Sequence, residues 1–136
     1  MVAVESRLTR LLRALLGVLM VVQGVNHFVL TDLMVRIMPT YLPWPRMLVL
    51  TSGVAEVVLG LAVFWRGSRT WAGWGLLALL VAVYPANIEM VRRAHDFPEL
   101  PVVALWLRLP LQFVFGYWVW VTCLRVLHVV PPSRRA

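Results

Sequence analysis

Four long apolar stretches separated by short polar connections dominate the pattern of the chain. They cover residues 11–30, 47–65, 71–90 and 102–124. Each is close to the roughly 20 residues that an α-helix needs to cross a bilayer. The first is too long for a signal-peptide core and ends without a small-residue cleavage site, so we expect it to remain as a helix. The pattern predicts an all-α membrane protein: a four-transmembrane-helix bundle that forms a single domain over residues 1–136.

The connection between the first two stretches is rich in proline. Three prolines at 39–45 exclude a continuous helix there. We therefore predict a short interfacial helix over Asp32–Met38, followed by an extended turn. Tyr41 and Trp44 in that turn are predicted to lie at the depth of the lipid headgroups, where aromatic side chains are enriched.

Composition supports a membrane protein and excludes other classes. Hydrophobic residues make up 61% of the chain and charged residues 14%, whereas a soluble domain carries about a quarter charged residues. The formal charge is +7, but the arginines lie singly or in pairs and form no basic stripe, which excludes nucleic-acid binding.

Cys123 is the single cysteine, so an internal disulfide is excluded. His95 and Asp96 are adjacent in a loop without a third ligand, and we predict no metal site.

The arginines also predict the orientation. One side of the predicted bundle has Arg7, Arg10, Arg13, Arg66, Arg69, Arg125, Arg134 and Arg135, and the other has Arg36, Arg46, Arg92 and Arg93. Basic residues in short flanks favour the cytoplasmic side of a membrane. Both termini are therefore predicted to be cytoplasmic, in a multi-pass protein of the cell (inner) membrane, with Arg7, Arg10 and Arg13 as an interfacial anchor.

Glu56, near the middle of the second stretch, is the strongest chemical signal. An ionisable group at that depth is costly and marks a functional or structural site. At helical spacing Ser52, Gly53 and Gly60 share its face, and small residues there would let a neighbouring helix approach closely. We predict that Arg108 in the fourth stretch lies within ion-pair reach of Glu56, directly or through one water. Leaving either charge alone would cost at least about 2.5–3.5 kcal/mol on insertion scales.

Polar residues from all four helices are predicted to converge in the outer half of the bundle. They are Gln23, His27, Glu56, Asn87, Arg108 and Gln112. Pro85 and Pro110 lie in the same layer and are expected to separate the helices, whereas the inner half is predicted to be apolar. The predicted aromatic walls of the layer are Phe28, Tyr84, Trp106 and Phe115. Three interpretations of the layer are open. It is a pocket for a lipophilic ligand, a set of interhelical hydrogen bonds that each stabilise the bundle by about 0.6 kcal/mol, or a proton or ion path.

Five sequence motifs resemble the DoxX-like family of small bacterial and archaeal membrane proteins. They are GVNHF at 24–28, PTYLPWP at 39–45, SGVAEVVLGL at 52–61, ALLVAVYPANIEM at 78–90 and LRLPLQ at 107–112. The resemblance covers nearly the whole chain. It implies a four-helix membrane bundle. The wider family includes a subunit associated with thiosulfate:quinone oxidoreductase, so the resemblance also implies a redox or quinone neighbourhood.

Two functional hypotheses from different classes follow. In the first, the protein is an accessory subunit or a binder of a lipophilic small molecule, with a quinone as the best candidate and the subunits of a redox complex as partners within the lipid bilayer. In the second, it is a stand-alone membrane enzyme that uses Glu56, such as a quinone-linked oxidoreductase or a proton-transferring isomerase. A purely structural membrane subunit is the third interpretation. Four short helices without an inverted repeat do not favour a transporter.

Overall fold

The computed structural model describes residues 5–125, and this part of the chain is built from helices and their connections. The α-helices are α1 (Arg7–Val29), α2 (Thr31–Arg36), α3 (Pro45–Ala62), α4 (Arg69–Arg92) and α5 (Val102–Val119). A 3₁₀ turn, Ala94–Asp96, follows α4, and a π-helical turn, Trp120–Leu124, extends α5. Four helices are long and apolar enough to cross a membrane: α1, α3, α4, and α5 with its π turn. The all-helical fold with four long apolar helices is confirmed.

The ends of the helices follow local chemistry. The Ser6 side chain accepts a hydrogen bond from the Thr9 N–H at 3.0 Å, which caps α1. Pro45 is the first residue of α3, where its missing N–H costs nothing. The short helix predicted at Asp32–Met38 is present as α2 and ends slightly earlier. The predicted basic tail Pro131–Ala136 lies outside the described residues.

α1 and α3 pack closely because glycines face each other across their interface. A Cβ atom at Gly24 would lie 2.7 Å from the Gly53 carbonyl oxygen, and one at Gly60 would lie 2.8 Å from the Met20 Cβ. Gly17 meets the Gly60 carbonyl oxygen in the same way, at 2.8 Å. Such close backbone approach is typical of helix pairs in membranes. The small residues on the face of Glu56 therefore pack against α1.

The remaining helices complete the bundle and define its two ends. α4 packs against both α5 and α3. A buried apolar cluster joins the helices at the end where α1 begins and α5 finishes, which we call the terminal end. Its residues are Leu16, Ala62, Val63, Ala72, Leu76, Val119, Cys123 and Leu124. The opposite end, where α1 and α4 finish and α2 lies, is called the α2 end.

The terminal end also contains buried charges, which sequence analysis did not predict. Arg13 and Arg69 are only 6% and 4% exposed. Arg13 donates to the Glu5 carboxylate, which lies 3.7 Å from Arg69. Arg13 also donates to the Thr122 carbonyl at 3.1 Å, and Arg69 donates to the Val63 carbonyl at 3.4 Å. Sequence analysis placed both arginines on the flank of the apolar stretches, and their burial is tolerated because carbonyls at helix ends lack donors of their own and arginines supply them here.

Candidate functional site

A cavity of about 530 Å³ lies at the α2 end of the bundle. Its polar lining residues are Gln23, His27, Thr51, Ser52, Glu56, Asn87 and Arg108. Its apolar lining residues are Met34, Ile37, Met38, Leu42, Leu48, Val49, Ala55, Leu79, Ala82, Val83 and Ala86. The volume lies within the range of small-molecule sites, and an apolar wall with a few convergent polar groups is their usual composition. The cavity therefore has the size and chemistry to hold a small lipophilic molecule.

The structure brings the predicted polar residues together. Five of the six line the cavity, and only Gln112 is absent from its wall. Gln112 instead supports a lining residue, because its side-chain oxygen accepts a hydrogen bond from the Asn87 amide at 2.6 Å. The Gln112 amide also donates to the Leu80 carbonyl of α4. Gln112 thus fixes Asn87 and joins α5 to α4.

His27 is held in one orientation by the first turns of α3. Its Nδ1 atom lies 3.0 Å from the Val49 carbonyl oxygen and 2.9 Å from the Ser52 hydroxyl. The Ser52 hydroxyl also donates to the Val49 carbonyl at 2.9 Å. Because a carbonyl oxygen can only accept, we assign the ring hydrogen to Nδ1. This leaves His27 Nε2 as the ring atom that faces Glu56, with Nε2 and Oε2 3.7 Å apart.

Glu56 is buried and incompletely paired. It is 7% exposed, and its Oε2 atom has no hydrogen-bond partner within residues 5–125. The 3.7 Å distance to His27 Nε2 exceeds that of a hydrogen bond. A buried polar atom without a partner costs about 1–3 kcal/mol. Glu56 also lines the cavity, so the unsatisfied oxygen belongs to a residue of the cavity wall.

Arg108 does not meet Glu56 directly. In the part of the chain that the structure describes, Arg108 has no acidic group within 4.0 Å. The direct form of the predicted ion pair is wrong: the glycine-packed α1 brings His27 to Glu56, while α3 and α5 are not close neighbours. Contact of Glu56 with Arg108 through one water stays a prediction.

The predicted aromatic walls are also wrong. None of these four residues lines the cavity: Phe28, Tyr84, Trp106 and Phe115. Tyr84 packs edge-on against Phe113 with ring centroids 5.7 Å apart, and Trp106 is 59% exposed. Helical spacing brings large apolar residues to outward faces as readily as to inward ones. Hydropathy does not distinguish the two faces of a helix that is apolar all round.

Two features of the site are not visible in the sequence. The first is the way in which His27 is held, by the Ser52 side chain and the Val49 carbonyl. In the sequence, the position of Ser52 on the face of Glu56 is the one indication of this contact. The segment after α2 also contributes to the wall, since Ile37, Met38 and Leu42 line the cavity. No residue pattern in that segment indicated its contact with the polar layer.

These features define a bundle of long apolar helices with a partly open cavity at one end, whose mainly apolar wall carries a few polar groups. The chain belongs to a family described as a domain of unknown function, DUF8561, whose family model matches residues 16–123. No curated protein and no solved structure gives a significant match to the chain. The matched range includes all six predicted cavity residues and excludes Glu5 and Arg13.

Proposed function

We propose that this chain is a multi-pass membrane protein that binds a lipophilic small molecule, with the molecule's polar head in the cavity at the α2 end. Its membrane location is supported by four helices of sufficient length and hydropathy. Large apolar side chains on their outer faces, such as Val81 at 75% exposure and Phe113 at 69%, suit contact with lipid. The arginine distribution supports an inner-membrane orientation with both termini in the cytoplasm.

One observation carries the proposal: Glu56 lines a cavity of about 530 Å³, and its buried Oε2 atom has no hydrogen-bond partner within residues 5–125. If the polar layer only joined helices, its polar groups would pair with one another, as Asn87 and Gln112 do here. A ligand-binding cavity leaves polar groups available to its ligand. The pattern of satisfied and unsatisfied groups therefore favours a binding site over a purely structural layer.

A quinone is the specific ligand that we propose. Quinone carbonyl oxygens accept hydrogen bonds, and the cavity offers donors in the Arg108 guanidinium and in the second N–H of the Asn87 amide. The apolar lining from α2 and α4 suits the ring and the first part of a hydrocarbon tail. Resemblance to the DoxX-like family adds an accessory role beside the subunits of a redox complex.

A stand-alone enzyme is the second candidate, and the proximity of Glu56 to His27 favours it. A carboxyl and an imidazole 3.7 Å apart beside a ligand cavity are groups that commonly exchange protons with a substrate. A proton-transferring isomerase or a quinone-linked oxidoreductase would use them. Chemical analysis of the ligand after long incubation with the protein distinguishes the two candidates. A binding protein leaves the ligand chemically unchanged, whereas an isomerase converts it.

Equilibrium binding of a radiolabelled short-chain quinone to purified protein in lipid nanodiscs tests the proposal. We expect saturable binding that Asn87→Ala and Arg108→Gln each weaken about tenfold, because each removes a hydrogen-bond donor from the cavity. His95→Ala and Arg92→Gln are matched controls, since both side chains are exposed outside the cavity. Circular dichroism would verify that all variants remain helical. Quinone uptake no greater than that of empty nanodiscs would reject a quinone as the ligand.

A further inference from the structure

His27 and Glu56 lie side by side at the cavity. The Val49 carbonyl and the Ser52 hydroxyl occupy the Nδ1 side of the ring. The other ring nitrogen, Nε2, faces Oε2 of Glu56 across 3.7 Å. The two atoms are too far apart for a direct hydrogen bond, and both residues line the cavity.

Among the cavity-lining residues within 5–125, one charged residue lies outside this pair, Arg108 on α5. His27 is the titratable group that α1 presents to Glu56. The cavity residues of α2 and α4 are uncharged, and α5 presents Arg108. Arg108 has no acid within 4.0 Å in residues 5–125, so its positive charge acts on whatever occupies the cavity. Arg108 is exposed, and a cation beside a binding site favours the ionised form of a nearby acid.

Resting on the proposed function, we infer that the head bound in this cavity carries an acidic hydroxyl of the phenol, quinol or hydroxyquinone class, and that the cavity binds it as the anion. The O–H bond of the ligand breaks and an N–H bond forms at Nε2 of His27. The Glu56 carboxylate stabilises the resulting imidazolium. The electron pair remains on the ligand oxygen, whose negative charge is stabilised by Arg108. Ser52 is a positioning residue, because it acts only through the orientation of His27.

The absorbance of a bound 4-alkyl-2-nitrophenol tests this inference, because its anion absorbs at a longer wavelength than its neutral form. The probe would be titrated in phosphatidylcholine nanodiscs with and without the protein. We expect the protein to lower the apparent pKa of the probe by about one unit, a tenfold change in its ionisation constant. Arg108→Gln and Glu56→Gln should each remove most of that shift.

Matched controls separate this effect from a general effect of charge. Arg92→Gln and Glu89→Gln change an arginine and a buried carboxyl that pair with each other outside the cavity, and both should leave the shift intact. The methyl ether of the probe, which has no proton to exchange, should bind at least tenfold more weakly than the phenol.

The outcomes distinguish the inference from the proposed function. Saturable binding of the probe with no shift in its ionisation, or equal binding of its methyl ether, would overturn the inference and leave the proposed function standing. Failure of the quinone, the probe and the ether to bind would overturn both. The comparison of the unmodified protein with empty nanodiscs decides the inference even if a variant does not fold.

Discussion

The Glu56 carboxyl lies inside the bundle because α1 brings a histidine to it. His27 and Glu56 are 8% and 7% exposed, and α3 itself fixes the histidine ring through Val49 and Ser52. A lone ionisable group at this depth would be far more costly than one beside a proton-exchanging neighbour. The stability of this site is therefore expected to depend on the pair more than on either residue alone.

A double-mutant cycle tests which residue is the partner of Glu56. Glu56→Gln and His27→Gln should show a coupling energy of at least about 0.5 kcal/mol in the free energy of unfolding, because the two side chains are in contact. Glu56→Gln and Arg108→Gln should be additive within about 0.5 kcal/mol, since no direct contact joins them. Unfolding in mixed micelles, followed by circular dichroism, gives both values. Strong coupling of Glu56 to Arg108 together with additivity toward His27 would contradict this assignment.

Glu5 should make the stability of the protein depend on pH in the acid range. The hydrogen bond from Arg13 holds the pKa of the Glu5 carboxyl below its usual value near 4.5, although burial acts in the opposite direction. Because the pKa is lower in the folded state, the stabilisation is complete above about pH 4.5 and is lost as the pH falls through the folded-state pKa. Glu5→Gln should lower stability at neutral pH and flatten this dependence. Identical pH profiles for the variant and the unmodified protein would show that the Glu5 contacts contribute nothing.

At the scale of residues, the sequence predicted which polar residues gather in one layer, but it did not predict which of them pair with each other. Glu56, His27 and Asn87 stand out because polar groups are rare in apolar stretches, and that contrast is visible without a structure. The pairing of Glu56 with His27 is not visible, because it depends on which helices are neighbours. The burial of Arg13 was missed since an arginine near a helix end usually reaches outward, and only Glu5 and free carbonyls make burial tolerable.

The helix pair α1 and α3 is the element on which the site depends. It carries His27, Ser52 and Glu56, and its close packing sets the distance between them. Two glycines spaced seven residues apart occur in each helix, at 17 and 24 and at 53 and 60 (24 − 17 = 7; 60 − 53 = 7). This spacing is a sequence signal for the pairing, since such glycines fall on nearly the same face. Hydropathy located the helices, but this second signal is needed to identify neighbours.

Substitution of an interface glycine should destabilise the α1–α3 pair. Gly53→Ala would bring a Cβ atom within 2.7 Å of the His27 Cβ, so the helices must separate or shift. We expect a loss of about 1–3 kcal/mol in the free energy of unfolding, as for other overpacked sites. Gly116→Ala in α5 is the matched control, because the nearest atom would be 3.7 Å away.

Alanine favours a helix over glycine by up to about 1 kcal/mol, so the control should be neutral or stabilising. The same unfolding measurement serves both variants. Equal effects of Gly53→Ala and Gly116→Ala would mean that the contact between α1 and α3 is not close.

At the scale of the whole molecule, the helices pack into a core at the terminal end and surround a cavity at the α2 end. The apolar cluster and the Glu5, Arg13 and Arg69 contacts hold the terminal end together. At the α2 end, Arg36 lies 5.5 Å from the Phe97 ring and donates to the Asp96 carbonyl, which connects α2 to the loop before α5. One end is thus a solid core, while the other surrounds a cavity with polar and apolar walls.

Reporter fusions test the proposed orientation of this molecule. A fusion within Arg66–Thr70, between α3 and α4, should report a cytoplasmic location, and one within Arg93–Leu100 should report an external location. The reason is the excess of arginine on the side of the terminal end. Paired alkaline phosphatase and green fluorescent protein reporters give opposite signals for each location. A cytoplasmic signal from Arg93–Leu100 would reverse the proposed orientation and place the cavity near the cytoplasmic leaflet.

Photoaffinity labelling in native membranes tests most directly the central claim that the cavity at the α2 end holds a lipophilic ligand. The probe is a quinone with a diazirine beside its head, and labelled peptides are identified by mass spectrometry. We predict labelling of cavity residues such as Met38, Leu42 and Val83 that excess unlabelled quinone suppresses. Labelling confined to outward residues such as Val81 and Phe113, or unaffected by the competitor, would contradict the claim.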